Sequence, residues 1–192
     1  MTSGTNAVRA IRDESERLIV RAVVAKAYAA QGYAVGTDAI TRYLDGPHAT
    51  TFGLFAGAVL YGTLSVVRDS EEGLPMSTLY ARELASVRAG GKQLAEVVQF
   101  AVDHDRYADA TGKRASPFVA SPLFSAVLAH AHECGIDYLC IAINPKHDRF
   151  YRLLGFEQIG EQKHYAAVDA PAIARALYVP GRSARSLAAL LS

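Results

Sequence analysis

Glu96 stands in the stretch Gln93 to Val102, "QLAEVVQFAV", where nearly every neighbour is apolar. If that stretch is a strand, alternation puts Glu96 on one face with Leu94, Val98, Phe100 and Val102. A carboxylate on an apolar face is rarely left there without a partner or a role. Desolvation raises its proton affinity toward the range that suits a general base. The alternatives are a salt bridge to an arginine such as Arg82 or Arg88, or a strand end that emerges into water. A second stretch, "NPKHDRFYRLLGF" from Asn144 to Phe156, follows directly on the apolar run "YLCIAI". Here Asn144 can cap a helix, Pro145 suits its first turn, and Gly155 suits the left-handed residue past its end. Tyr151, beside Phe150 and Leu154, reads by residue type alone as a core tyrosine whose hydroxyl is bonded at the edge.

The remaining candidates are weaker. His130 and His132 are two apart on a helix and point to different faces, so they make no metal pair, while His147 and His164 read as solvated or rim residues. Cys134 and Cys140 have neither metal-ligand nor redox spacing and are expected to be buried, reduced thiols. No metal site is expected. Lys113 and Arg114 in a polar connection, and Lys146, Arg149 and Arg152 on the short helix, would ordinarily be solvated charge.

These residues need a scaffold, and its elements are legible. A helical pattern from about residue 7 to 31 runs through Ile11, Leu18, Ala22, Ala25 and Ala29, and Gly32 ends it. Residues 52–67 are rich in β-branched and aromatic side chains and break near Ala56-Gly57, which predicts a hairpin. A helix is expected from about Ser77 to Ala89, with Tyr80, Leu84 and Val87 on one face and Gly90-Gly91 as its stop. The stretch around Glu96 is apolar on both alternating sets and reads as a central strand. Ser121 and Pro122 look like the cap and first residue of a further helix closed by Gly135, and "DYLCIAI" is the next strand. Residues 103–120 form one long polar connection, a candidate functional loop. A last element lies near "PAIARALYV", and residues 181–192 read as a short docked helix or a tail. The order predicts one α/β domain over residues 1–192, with a mixed central sheet flanked by helices.

Composition bounds the function classes. The chain has 192 residues, 51% hydrophobic and 20% charged, with 20 Lys+Arg against 19 Asp+Glu. A domain of this size buries roughly 70% of the surface its unfolded chain exposes. The balanced charge gives no argument for nucleic acid. The apolar runs are far shorter than the ~20 residues of a membrane span, and the N-terminus lacks a signal-peptide core, so a cytoplasmic protein is expected.

With these residues in view, "CIAINPKHDRFYRLLGFEQIG" resembles the C-terminal signature of the GNAT acyltransferase superfamily. More narrowly, "DSEEGLPMSTLYARELASVRAGGKQLAEVVQFAVD" together with "HYAAVDAPAIARAL" resembles the N-acyl amino acid synthases, cousins of the acyl-homoserine-lactone synthases. The resemblance implies transfer of a long-chain fatty acyl group from an acyl carrier protein thioester to the amine of an amino acid or related small molecule. It implies no bound cofactor, the acyl-phosphopantetheine thioester being a substrate. On that pattern Glu96 would be the base and Tyr151 the group that protonates the leaving thiolate. The backbone at Phe100, Ala101 and Val102, with Asn144, would hold the acyl donor, and Lys113, Arg114, Lys146, Arg149 and Arg152 would dock the carrier protein. Val24 before Tyr28, and Gln99 three residues after Glu96, stand where the lactone synthases have arginines, which speaks against S-adenosylmethionine as acceptor. "KRASPFVASPLF" also lacks the Gly-rich pyrophosphate turn of acetyl-CoA-dependent members. The rival readings are an acyl-CoA-dependent small-molecule acetyltransferase and a non-enzymatic domain that binds an acyl ligand or a partner.

Overall fold

The computed structural model describes residues 6–33, 43–44, 46–116, 118–166 and 168–180. Seven strands form one mixed sheet in the order β1-β2-β3-β4-β5-β7-β6. The strands are β1 (Asn6–Ala10), β2 (Ala49–Ala56), β3 (Val59–Arg68), β4 (Leu94–Val102), β5 (Tyr138–Ile143), β6 (Glu157–Tyr165) and β7 (Ala170–Tyr178). The helices are α1 (Glu14–Ala30), α2 (Ser77–Arg88), α3 (His104–Thr111), α4 (Ser121–Glu133) and α5 (Asp148–Leu153), the last preceded by a 3-10 turn at Pro145–His147. β4 and β5 pair in parallel, and β1–β2, β5–β7 and β6–β7 are antiparallel.

The expected elements are present, with three corrections. The first helix begins at Glu14 rather than near residue 7, because Asp13 caps it by accepting from the Ser15 N–H at 2.7 Å. The residues before the cap pair as β1 with β2, from Asn6↔Ala56 to Ala10↔Phe52. The polar connection 103–120 is not all loop. Asp103 accepts from the backbone N–H groups of Asp105 and Arg106 and starts α3, which Gly112 closes at φ 67°. Ser121 begins α4, but its hydroxyl donates to the Phe118 carbonyl at 2.8 Å instead of accepting from the helix as a cap would. Residues 181–192 lie outside the described residues.

Contacts divide the chain into two compact units, residues 1–65 with 99–127, and residues 66–98 with 128–192. In the first, Ile11, Val20, Val23, Val24, Phe55 and Leu60 form the core with Ala101 of β4. In the second, Leu74, Met76, Tyr80, Leu84 and Leu94 pack with Cys140 and with the small residues Ala172, Ala174 and Ala176 of β7. Those alanines leave room for α2, whose Tyr80 departs from helical geometry at φ −123° and ψ 33°.

Candidate active site

Glu96 lies in the second unit, on β4, in register with Cys140 of β5. Its side chain is 2% exposed, so it does not mark a strand end in water. Oε2 accepts a hydrogen bond of 2.8 Å from the backbone N–H of Met76, the residue just before α2. Among the described residues no other hydrogen bond or ion pair reaches this carboxyl. Arg88, one of the two arginines weighed as its ion-pair partner, is turned to Asp69, donating through Nη2 to Oδ1 at 2.9 Å and through Nε to Oδ2. Burial therefore pushes the Glu96 carboxyl up to about 8; the Met76 N–H works against that shift, and the Asp69 charge adds to it. A carboxyl titrating there exchanges protons near neutral pH. The Cys140 thiol is pushed up to about 12, first by burial and then by the Glu96 carboxylate, so it stays protonated. Cys134 is half-buried, with Sγ 3.7 Å from His130 Nε2.

Beyond the third ladder pair, Glu96↔Cys140, Gln99 adopts φ 54°. A left-handed residue inside a strand marks a bulge. Burial still alternates through it, with Val98 half-buried just before and Gln99 itself buried. Past it, in the first unit, Ala101 is the buried member, whereas Phe100 and Val102 are half-buried. The Phe100 ring meets Phe124 edge-on, with centroids 5.2 Å apart. In that same unit the hydroxyls of Tyr61 and Thr63, on one face of β3, are fully buried and have no hydrogen-bond partner among the described residues, a feature no sequence signal announced.

Asn144 caps the 3-10 turn as expected, its Oδ1 accepting from the Lys146 N–H at 3.1 Å. Tyr151 on α5 is buried, edge-on to Phe150 and Phe156 at 5.1 and 5.8 Å. Sequence reasoning missed what holds this helix. Arg175, buried on β7, donates through Nε to Asp148 Oδ1 at 2.7 Å and through Nη1 to the Phe156 carbonyl at 2.8 Å, clamping both ends of α5. A lone arginine in the apolar run "PAIARALY" was the available signal.

The basic residues are exposed in both units, Lys113 and Arg114 in the first, Lys146, Arg149 and Arg152 in the second. Each group has an exposed apolar neighbour, Phe118 in the first and Leu153 in the second, both 71% exposed. The second unit also carries an open groove of about 770 Å³ bounded by Arg82, Glu83, Val87, Ile159 and the Tyr138–Tyr178 ring pair, and it contains none of the candidate residues. Among the described residues no cluster of three His, Cys, Asp or Glu side chains could hold a metal ion, and no helix is long and apolar enough to cross a membrane.

Comparison with known proteins adds a lineage to this geometry. Residues 20–177 match a family model described as N-acyl amino acid synthase FeeM. The solved structure of FeeM, an N-acyl amino acid synthase from uncultured soil microbes, is 53% identical, with 98% of this chain and 100% of that one covered at a TM-score of 0.89. The ribosomal-protein-S18-alanine N-acetyltransferase from Escherichia coli aligns at 13% identity over 95% of this chain and 99% of that one, at a TM-score of 0.61. A protein from Desulfovibrio desulfuricans assigned to the GNAT family of acetyltransferases aligns at 15% identity over 92% and 100%, at a TM-score of 0.63. At such identities the last two share the fold. A search of the curated proteins returned no match.

Proposed function

The chain belongs to the FeeM family of N-acyl amino acid synthases, and on that premise we propose that it moves a long-chain fatty acyl group from an acyl carrier protein to the amine of an amino acid. It is an N-acyltransferase with a GNAT-like fold. The observation that carries the site assignment is Glu96, a buried carboxyl held by one backbone N–H and, among the described residues, left without a cationic partner.

The reaction asks little of the protein. The amine nitrogen attacks the thioester carbonyl carbon, a C–N bond forms and the C–S bond breaks with its electron pair on sulfur. One N–H proton leaves the acceptor, and one proton is taken by the thiolate. A free α-amino group has a pKa of about 8, so a base of similar affinity is matched to the first transfer. We assign that transfer to Glu96 and the protonation of sulfur to Tyr151. We assign acyl-donor binding to the backbone of Phe100, Ala101 and Val102, next to the left-handed residue Gln99 at φ 54°, and, separately, to Asn144.

The carrier-protein donor rests on two features. The segment 113–124 has no glycine to build a pyrophosphate turn, and Lys113, Arg114, Lys146, Arg149 and Arg152 present exposed positive charge. The test supplies a mixture of amino acids with either long-chain acyl carrier protein or acetyl-CoA, and reads N-acyl products by mass spectrometry over a range of salt. The carrier substrate should show the higher kcat/KM, and its advantage should shrink as salt screens the docking charges. Equal use of acetyl-CoA at every salt would point to a CoA-dependent acetyltransferase instead. Saturable donor binding without any acylated amine would point to a binding domain.

A further inference from the structure

The N–H that holds Glu96 belongs to the peptide between Pro75 and Met76, and the carbonyl of that same peptide is also engaged. Tyr165, the last residue of β6, donates its hydroxyl to the Pro75 oxygen at 3.1 Å, while the Met76 N–H donates to Glu96 Oε2 at 2.8 Å. A peptide group is planar, so fixing its oxygen fixes the direction of its N–H. A hydrogen bond accepted at the oxygen also polarises the group and strengthens the bond it donates.

The turn around this peptide is tied down on both sides. Leu74 N–H donates to Ser77 Oγ at 3.0 Å, and the Met76 carbonyl accepts from the N–H groups of Leu79 and Tyr80. Tyr80 in turn donates to the Ala172 and Glu161 carbonyls, at 2.7 and 3.1 Å. Its ring lies against Gly160, where a Cβ would come within 2.8 Å of it. Lys163 reaches from the same strand to the Leu79 carbonyl at 3.0 Å and to Glu83. The Pro75 oxygen also accepts from Thr78 Oγ1, in the first turn of α2, at 3.4 Å; Tyr165 is the partner that reaches this peptide from β6, at the shorter distance of 3.1 Å.

We propose that Tyr165 is a positioning residue for the acyl transfer: through the Pro75–Met76 peptide it aims the Met76 N–H at Oε2 of Glu96, which leaves Oε1 as the oxygen that meets the acceptor amine. The inference rests on the assignment of Glu96 as the base. The charged and titratable groups facing Glu96 are Asp69 at the end of β3, Arg88 of α2 paired with it, and Cys140 across the ladder on β5. None of them contacts Tyr165 through its hydroxyl, so Tyr165→Phe leaves them in place. The Met76 N–H favours the ionised carboxylate. Loosening it makes Glu96 hold its proton to higher pH.

The experiment follows the Glu96 side-chain carboxyl by carbon-13 NMR across pH, assigned by the resonance lost in Glu96→Gln, alongside kcat/KM against pH. Tyr165 is half-buried, and the phenylalanine keeps its ring, so circular dichroism and melting should show an intact fold. In Tyr165→Phe the carboxyl midpoint should rise by roughly half a unit to one unit, the scale of one hydrogen bond, and the acid limb of kcat/KM should rise with it. Tyr80→Phe removes a hydroxyl that binds other carbonyls, so it should lower the melting temperature without moving the midpoint. An unchanged midpoint in folded Tyr165→Phe, or an equal shift in Tyr80→Phe, overturns the proposal. If Tyr165→Phe moves the carboxyl midpoint but Glu96→Gln keeps wild-type activity, the peptide relay exists without serving the reaction, and it is the base assignment that has failed.

Discussion

Glu96 carries a pH signature that its burial dictates. Its carboxyl titrates at about 8 in the folded protein against an ordinary value of 4.5. A group whose folded value is raised binds its proton more tightly in the native state, so its contribution to stability is fully present below about 4.5 and is lost as pH rises through about 8. Glu96→Gln removes this dependence. Urea unfolding midpoints measured from pH 5 to 9 should fall for wild type relative to the variant as pH increases; parallel curves would show that Glu96 is not a buried acid. The carboxylate was legible in the sequence because a charge in an apolar strand stands out. Its partner was not, because a bond to the backbone of Met76, 20 residues earlier, leaves no trace in residue type. The arginines pointed to the wrong partner, and Asp69 is what Arg88 holds.

At the level of elements, apolar periodicity and the glycine stops located α2, β4, α4, β5 and the turn after Asn144. It failed where short-range capping overrode the pattern. Asp13 removed residues 7–13 from the expected first helix and left Asn6–Ala10 to pair as β1, and Asp103 turned part of a polar loop into α3. The bulge in β4 was invisible because glutamine is not a residue that announces a left-handed backbone. That conformation has a testable energetic consequence. Gln99 holds φ 54°, which glycine adopts freely and a β-branched side chain resists. Either substitution removes the glutamine side chain, so Gln99→Val should be less stable than Gln99→Gly by about 1–2 kcal/mol in urea unfolding. Equal stabilities would mean that the strand can pair without its bulge.

For the molecule as a whole, the mixed sheet and its flanking helices were legible from the order of elements, and the family from the stretches around Glu96 and Tyr151. The division of contacts was not, because its boundaries fall inside the continuous elements β3, β4 and α4, where composition does not change. Assignment to an N-acyltransferase family fixes the reaction type, whereas the residues that perform it stand or fall by turnover. The most direct test is the rate of N-acyl amino acid formation by Glu96→Gln, with saturating long-chain acyl carrier protein and amino acid, above the pH at which wild-type Glu96 ionises. An intact fold and a kcat lower by roughly 10²-fold or more, the scale of lost acid–base help, are expected if Glu96 is the base. A variant that melts like wild type and turns over at the wild-type rate would contradict that assignment.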